Sequence, residues 1–246
     1  MSDRQATPSS RPKLRLKGMP LGSYETNAYV AWLDGGAGIA EGVGGETACW
    51  LIDAPFDSEE MVDLVRSENL SPTLLLLTHA HVDHIAGVRA IRAAFPEIKI
   101  AIHRLEERWL TDPTLNLSVF TGQPVTAPPA DMLLEDRQRL TLTTDARVHA
   151  STDAPDGVTF EVIHVPGHSP GSVAFFASAA GVCIGGDALF AGSIGRTDFP
   201  GCSSDELLRS IRTRLLALPG ETRLYPGHGG ATTIARERDT NPFLRS

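Results

Sequence analysis

The hydrophobic positions along the chain change period several times, and each change marks an element. Residues 13–21, 28–33 and 47–53 read as strands, and Asp34-Gly35 is a turn signal that opens the glycine-rich stretch GGAGIAEGVGG. That stretch matches neither a dinucleotide fingerprint nor a P-loop, and it lies between strands, so it is expected to be a hairpin loop. Over residues 57–67, Met61, Leu64 and Val65 recur at helical spacing behind Asp57 or Ser58 as a cap. Residues 74–77 are a continuous apolar run entered through Pro72, the pattern of a strand buried on both faces. Helical spacing returns with Ile85, Val88, Ile91 and Ala93-Ala94 until Phe95-Pro96 ends it, and 98–102 reads as the next buried strand.

Residues 104–157 are less regular. They predict a short helix near Glu106, then Pro-containing connections at Asp112-Pro113, Gln123-Pro124 and Pro128-Pro129, an excursion from the core. Strands resume at 159–165, 172–177 and 182–185, followed by a helix over 205–218 and a short strand at 222–225. Residues 1–12 are polar with Pro8 and Pro12, the composition of a disordered tail, which leaves 13–246 as one domain.

Composition narrows the class. A chain of 246 residues that is 41% hydrophobic and 21% charged has the makeup of a globular protein. Twenty-two Lys and Arg against 30 Asp and Glu leave a net charge of −8, which disfavours nucleic acid and anionic membrane as partners. The three cysteines, Cys49, Cys183 and Cys202, have no C-x-x-C spacing and indicate neither a disulfide framework nor a cysteine zinc site. With no apolar leader core in the first twenty residues and no apolar run of ~18, the expectation is a cytoplasmic protein.

The chemistry is concentrated where strands end. Thr78-His79-Ala80-His81-Val82-Asp83-His84 closes the buried run at 74–77, and in extended chain His79 and His81 project to one face, where two imidazoles can bind one ion. Asp83 and His84 fall where the chain turns into the helix and can face a second ion. His168 in PGHSPGS, Asp187 in GGDALF and His228 in YPGHGG each follow an apolar strand beside glycine. Singly, each has an ordinary alternative: a surface or core histidine, or a carboxylate capping a helix. His103, His149 and His164 carry no motif and take that ordinary role. Burying the 79–84 cluster without a metal would cost several kcal/mol of desolvation.

Taken in order, the H-x-H-x-D-H cluster, the two glycine-flanked histidines and the aspartate resemble the metallo-β-lactamase-fold hydrolases. The resemblance extends from about residue 13 to the end of the chain and implies an α/β four-layer αββα sandwich. Within that group, PGHSPGS, FAGSIGRTDFPG and NPFLR are similar to short bacterial members of the glyoxalase II (hydroxyacylglutathione hydrolase) branch. The resemblance implies that His79, His81 and His168 bind one divalent ion and Asp83, His84 and His228 a second, with Asp187 bridging. Zinc is favoured, with iron and manganese suited to the same ligands. It further implies a hydroxide between the ions attacking a thioester such as S-lactoylglutathione, with Asp83 both ligating and orienting. Asp53 resembles the family's buried supporting carboxylate, with bracing of a turn as its alternative. Arg196 matches a basic residue that holds a glutathione carboxylate, with an ion pair as its alternative.

The chain departs from the larger glyoxalase II enzymes in having Gly229-Gly230, not a tyrosine, after His228, and only eighteen residues beyond that histidine. Arg245 or residues 104–157 are then expected to line the substrate pocket. Persulfide dioxygenases share the fold and the GRTDF string, and a single Fe(II) on His79, His168 and Asp187 is the rival reading. Their YPAHDY differs from YPGHGG here. Lactones, other activated esters and β-lactams stay open as substrates, and a non-enzymatic metal-binding role would predict a broken ligand set.

Overall fold

The computed structural model describes residues 12–34, 47–145 and 156–245. The tail expected over 1–12, apart from Pro12, the hairpin loop expected at 35–45 and the role given to His149 lie outside the described residues.

Two six-stranded sheets form the centre. The first contains β1 (Lys13–Leu21), β2 (Thr26–Asp34), β3 (Thr47–Ile52), β4 (Leu70–Leu76), β5 (Lys99–His103) and β6 (Met132–Leu134), in that order. Its first three strands are antiparallel, and β3 to β6 run parallel. The second sheet is built from β7 (Arg139–Leu142), β8 (Val158–His164), β9 (Val173–Ala177), β10 (Val182–Gly186), β13 (Arg223–Pro226) and β14 (Thr232–Thr233). Its spatial order is β14-β13-β10-β9-β8-β7. A separate ribbon pairs β11 (Leu189–Phe190) with β12 (Ser193–Ile194).

Alternation along the strands decides what packs where. Trp50 and Ile52 of β3 point between the sheets, where they join Leu74, Leu76, Phe160, Val162 and Phe175 in one buried cluster. Cys49 and Leu51 point the other way and pack with Met61 and Val65 of α1 (Glu59–Ser67) and Val88 and Ile91 of α3 (Val88–Ala94). On the far side, Ile163, Cys183 and Leu224 pack with Leu207 of α4 (Ser204–Ser210), the following π-type turn Ile211–Leu215, and Ile234 of α5 (Ile234–Thr240). Helices, sheet, sheet and helices make the four expected layers.

Three local expectations change. The helix expected over 85–94 is two pieces, α2 (Val82–Ile85) and α3, because Gly87 N–H leaves the helical ladder to donate to Ala54 O at 2.8 Å. Ser58 stands at the α1 N-cap, yet its hydroxyl donates to Pro55 O at 2.6 Å instead of accepting a helix N–H. The described part of 104–157 is no excursion: it supplies β6 to one sheet and β7 to the other, and buries Trp109, Leu110, Leu134 and Leu140. Its apolar runs of three or four residues are too short for a period to show. Among the described residues, no helix is long and apolar enough to cross a membrane.

Candidate metal centre

The seven residues singled out in the sequence converge. His79 to His84 follow β4, His168 follows β8, Asp187 follows β10 and His228 follows β13, so loops after four strands meet at one edge of the sheets. His168 Nε2 lies 2.8 Å from His81 Nδ1 and 3.2 Å from His79 Nε2. His228 Nε2 lies 3.2 Å from Asp83 Oδ2, and His84 Nε2 lies 3.5 Å from the same oxygen. Asp187 stands between the groups: Oδ1 is 3.4 Å from His84 Nε2, and Oδ2 is 3.7 Å from His168 Nε2 and 3.5 Å from His228 Nε2.

Three sets have candidate ligand atoms mutually within 4.8 Å: His79, His81 and His168; His79, His84 and Asp187; and Asp83, His84 and His228. The buried atoms His81 Nε2, His84 Nε2 and Asp187 Oδ1 have no hydrogen-bond partner. Leaving such atoms unsatisfied costs about 1–3 kcal/mol each, and a cation in their midst removes that cost, so the donor set fits metal ions.

Protonation follows the same division. Burial, reinforced by the neighbouring imidazoles, holds His79 well below the usual histidine range and His81 at about 3. Burial also lowers His168 against the pull of Asp187. Neutral imidazoles are what a metal requires. In the other group burial opposes charge, but Asp83, Asp187 and Asp53 lift His84 well above its usual value. Hydrogen bonds to Asp187 and Asp83 likewise overcome burial and raise His228 to about 9. Burial works to raise the Asp83 carboxyl, yet His84 and His228 bring it down to about 2.

A surrounding layer orients these side chains. Asp53 accepts from Thr78 N at 2.7 Å and Thr78 Oγ1 at 2.8 Å, and its Oδ2 lies 2.8 Å from His84 Nδ1. It therefore both braces the turn and supports the histidine. Thr26 Oγ1 donates to Asp83 Oδ2 at 2.9 Å, and His168 Nδ1 faces Arg196 O at 2.9 Å. A Cβ on Gly227 would lie 2.0 Å from Asp187 Oδ1 and 2.8 Å from His84 Cε1, so this position has no room for a side chain.

Glu106 was not recognised in the sequence as part of the site. Fully buried, it accepts from Ala80 N at 2.6 Å, Gly171 N at 2.7 Å and the Ser169 hydroxyl, joining the loop of His79 and His81 to the loop of His168. Burial pushes its carboxyl up against these donors. The run RLEERWL gives no local sign of the role, which exists only once the loops meet.

A cavity of about 450 Å³ opens over the cluster. Leu117, Phe120 and Thr121 line it, so the expectation that 104–157 reaches the pocket holds, whereas Arg245 donates to Asp239 O and is not in the lining. Arg196 is in the lining, but Asp198 binds its guanidinium through two contacts of 2.7 Å. His103 and His164 stand apart from the cluster, their rings stacked at 4.3 Å.

The family model described as Metallo-beta-lactamase superfamily matches residues 39–228. The chain belongs to the metallo-β-lactamase superfamily. A solved structure titled BLEG-1 B3 metallo-beta-lactamase is 40% identical with a TM-score of 0.80, covering 94% of this chain and all of that one. The probable metallo-hydrolase YqgX of Bacillus subtilis is 35% identical over 94% of this chain and 98% of its own length. The hydroxyacylglutathione hydrolase GloC of Haemophilus influenzae is 31% identical over 93% and 97% respectively. The family match together with relatives named as hydrolases supports a metal-dependent hydrolase, and the four-layer architecture is that of the metallo-β-lactamase fold.

Proposed function

We propose that the protein hydrolyses small thioesters, as the name of the GloC relative describes for hydroxyacylglutathione. The observation that carries this reading is a pair of adjoining ligand sets, with Asp187 between them, at the floor of a cavity. In it, His79, His81 and His168 would hold one divalent ion and Asp83, His84 and His228 the other, with Asp187 placed to serve either. Ions bound there would lower the pKa of water and polarise a carbonyl.

The chain's own residues supply position. Asp187 sets the spacing of the two groups, with Oδ1 toward His84 and Oδ2 between His168 and His228. Asp83, fixed by Thr26 and kept anionic, orients the attacking water. A thiolate leaves without protonation far more readily than an alkoxide, so the absence of an assigned general acid suits a thioester.

The test is hydrolysis of S-lactoylglutathione by protein of measured metal content, with oxygen uptake on glutathione persulfide followed in parallel. Thioester turnover at about two ions per chain is the expected result. Oxygen consumption at about one iron would replace this reading with the dioxygenase.

A second reading rests on the 40% identity to the protein named a B3 metallo-β-lactamase. Attack on a lactam carbonyl uses the same ligand set, and turnover of a chromogenic cephalosporin without thioester turnover would favour it.

A further inference from the structure

The wall of the cavity differs in character from its floor. Tyr24, Leu117, Phe120, Phe190, Ile194 and Phe199 supply an apolar, mostly aromatic surface around the ligand cluster. Phe120 is 73% exposed and Tyr24 48%, large apolar groups left in water beside the opening. Exposed apolar surface of this kind, continuous with a cavity, marks a binding surface. Leu117 reaches the lining from a left-handed backbone conformation, φ +68°, which a branched side chain rarely adopts and which here begins the short turn carrying Phe120.

Charge in the wall is already satisfied. Arg196 is the one lysine or arginine in the lining among the described residues. Its guanidinium is bound by both oxygens of Asp198 and lies 4.0 Å over the Phe199 ring. Asp198 already offsets the charge of this exposed guanidinium, so a substrate carboxylate would gain less at its remaining N–H donors than at an unpaired arginine.

We infer that this site selects thioesters carrying an uncharged, aromatic-sized group beside the scissile bond over those whose recognition depends on glutathione carboxylates. The inference rests on the thioester reading and deepens it. The apolar group can sit on the acyl or the thiol side, and the test separates the two.

Three substrates are compared on metal-loaded protein: S-lactoylglutathione, S-phenylacetylglutathione and the lactoyl thioester of benzyl mercaptan. At least one aromatic substrate is expected to exceed S-lactoylglutathione in kcat/KM by ~10-fold or more, the effect of burying one ring. The substrate that gains identifies the side. Phe120→Ala is expected to remove most of that gain, and Phe243→Ala, at an exposed ring outside the lining, to leave it. Asp198→Ala releases Arg196 and is expected to raise kcat/KM for S-lactoylglutathione several-fold.

A preference for S-lactoylglutathione in the wild type, or an aromatic gain indifferent to Phe120→Ala, overturns the inference. Binding of a hydrolysis-inert benzyl thioether, measured by calorimetry against S-methylglutathione, separates the two levels of the proposal. Tight, Phe120-dependent binding with no thioester turned over would retain the apolar site and discard the thioester reaction. Turnover with no preference for the benzyl compound would do the reverse.

Discussion

Asp53 and His84, thirty-one residues apart, meet with Oδ2 2.8 Å from Nδ1, both side chains almost wholly buried. The contact fixes the ring so that Nε2 faces Asp83 and Asp187. A carboxylate behind a ligand histidine raises its basicity and sets its orientation. Asp53→Asn is therefore expected to weaken binding of one ion by 10–100-fold while the other stays bound, which metal analysis after graded dialysis will read.

Glu106 joins the loop of His79 and His81 to that of His168 through acceptors alone, and that makes its amide a poor replacement. In Glu106→Gln, an amide oxygen kept toward Ser169 and Gly171 turns the NH2 toward Ala80 N–H, donor against donor. We expect a loss of about 1–3 kcal/mol in denaturant unfolding of the metal-free protein. Weaker metal binding by His79, His81 and His168 is expected alongside it.

Removing ligands one at a time distinguishes the two groups. His79→Ala takes a ring from the most buried part of the cluster, and His228→Ala one from its more exposed side. Both are expected to abolish turnover, with His228→Ala retaining about one ion per chain. Unchanged thioester hydrolysis in His228→Ala would end the two-ion mechanism.

The stacked pair outside the site gives a pH dependence. Burial first, then His164 and Arg104, lower His103 from 6.5 to about 4, with Asp136 opposing. Between those values the unfolded chain binds a proton that the folded chain does not, so stability falls as pH drops from 6.5 toward 4. Chemical denaturation of metal-free His103→Gln at pH 7 and pH 5 is expected to show a smaller decline than wild type.

The seven clustered residues were legible because their segments combine two local signals, an apolar strand and a turn after it holding a side chain able to bind metal. Asp187 and His228 stand out only as members of the ordered set, because singly each has an ordinary alternative. Thr26, Glu106 and Tyr24 reach the site through contacts spanning 57, 63 to 65 and 204 residues, which local spacing does not encode. The same limit applied to the fold. The break between α2 and α3 depends on a carbonyl at Ala54, and β6 and β7 are too short to announce themselves.

The meeting of loops from both sheets has a practical consequence. One proposed ligand set joins His79 and His81 from the first sheet to His168 from the second, and another joins Asp83 and His84 to His228. Each ion would tether the sheets along the seam where Asn27 N already donates to Gly227 O at 2.7 Å. Free metal at a thousand times its dissociation constant adds about 4 kcal/mol to folding. Preparations that differ in metal content would then melt at different temperatures with identical sequences. A lowered Tm in any site variant therefore measures lost metal as much as lost packing, until both proteins are compared stripped.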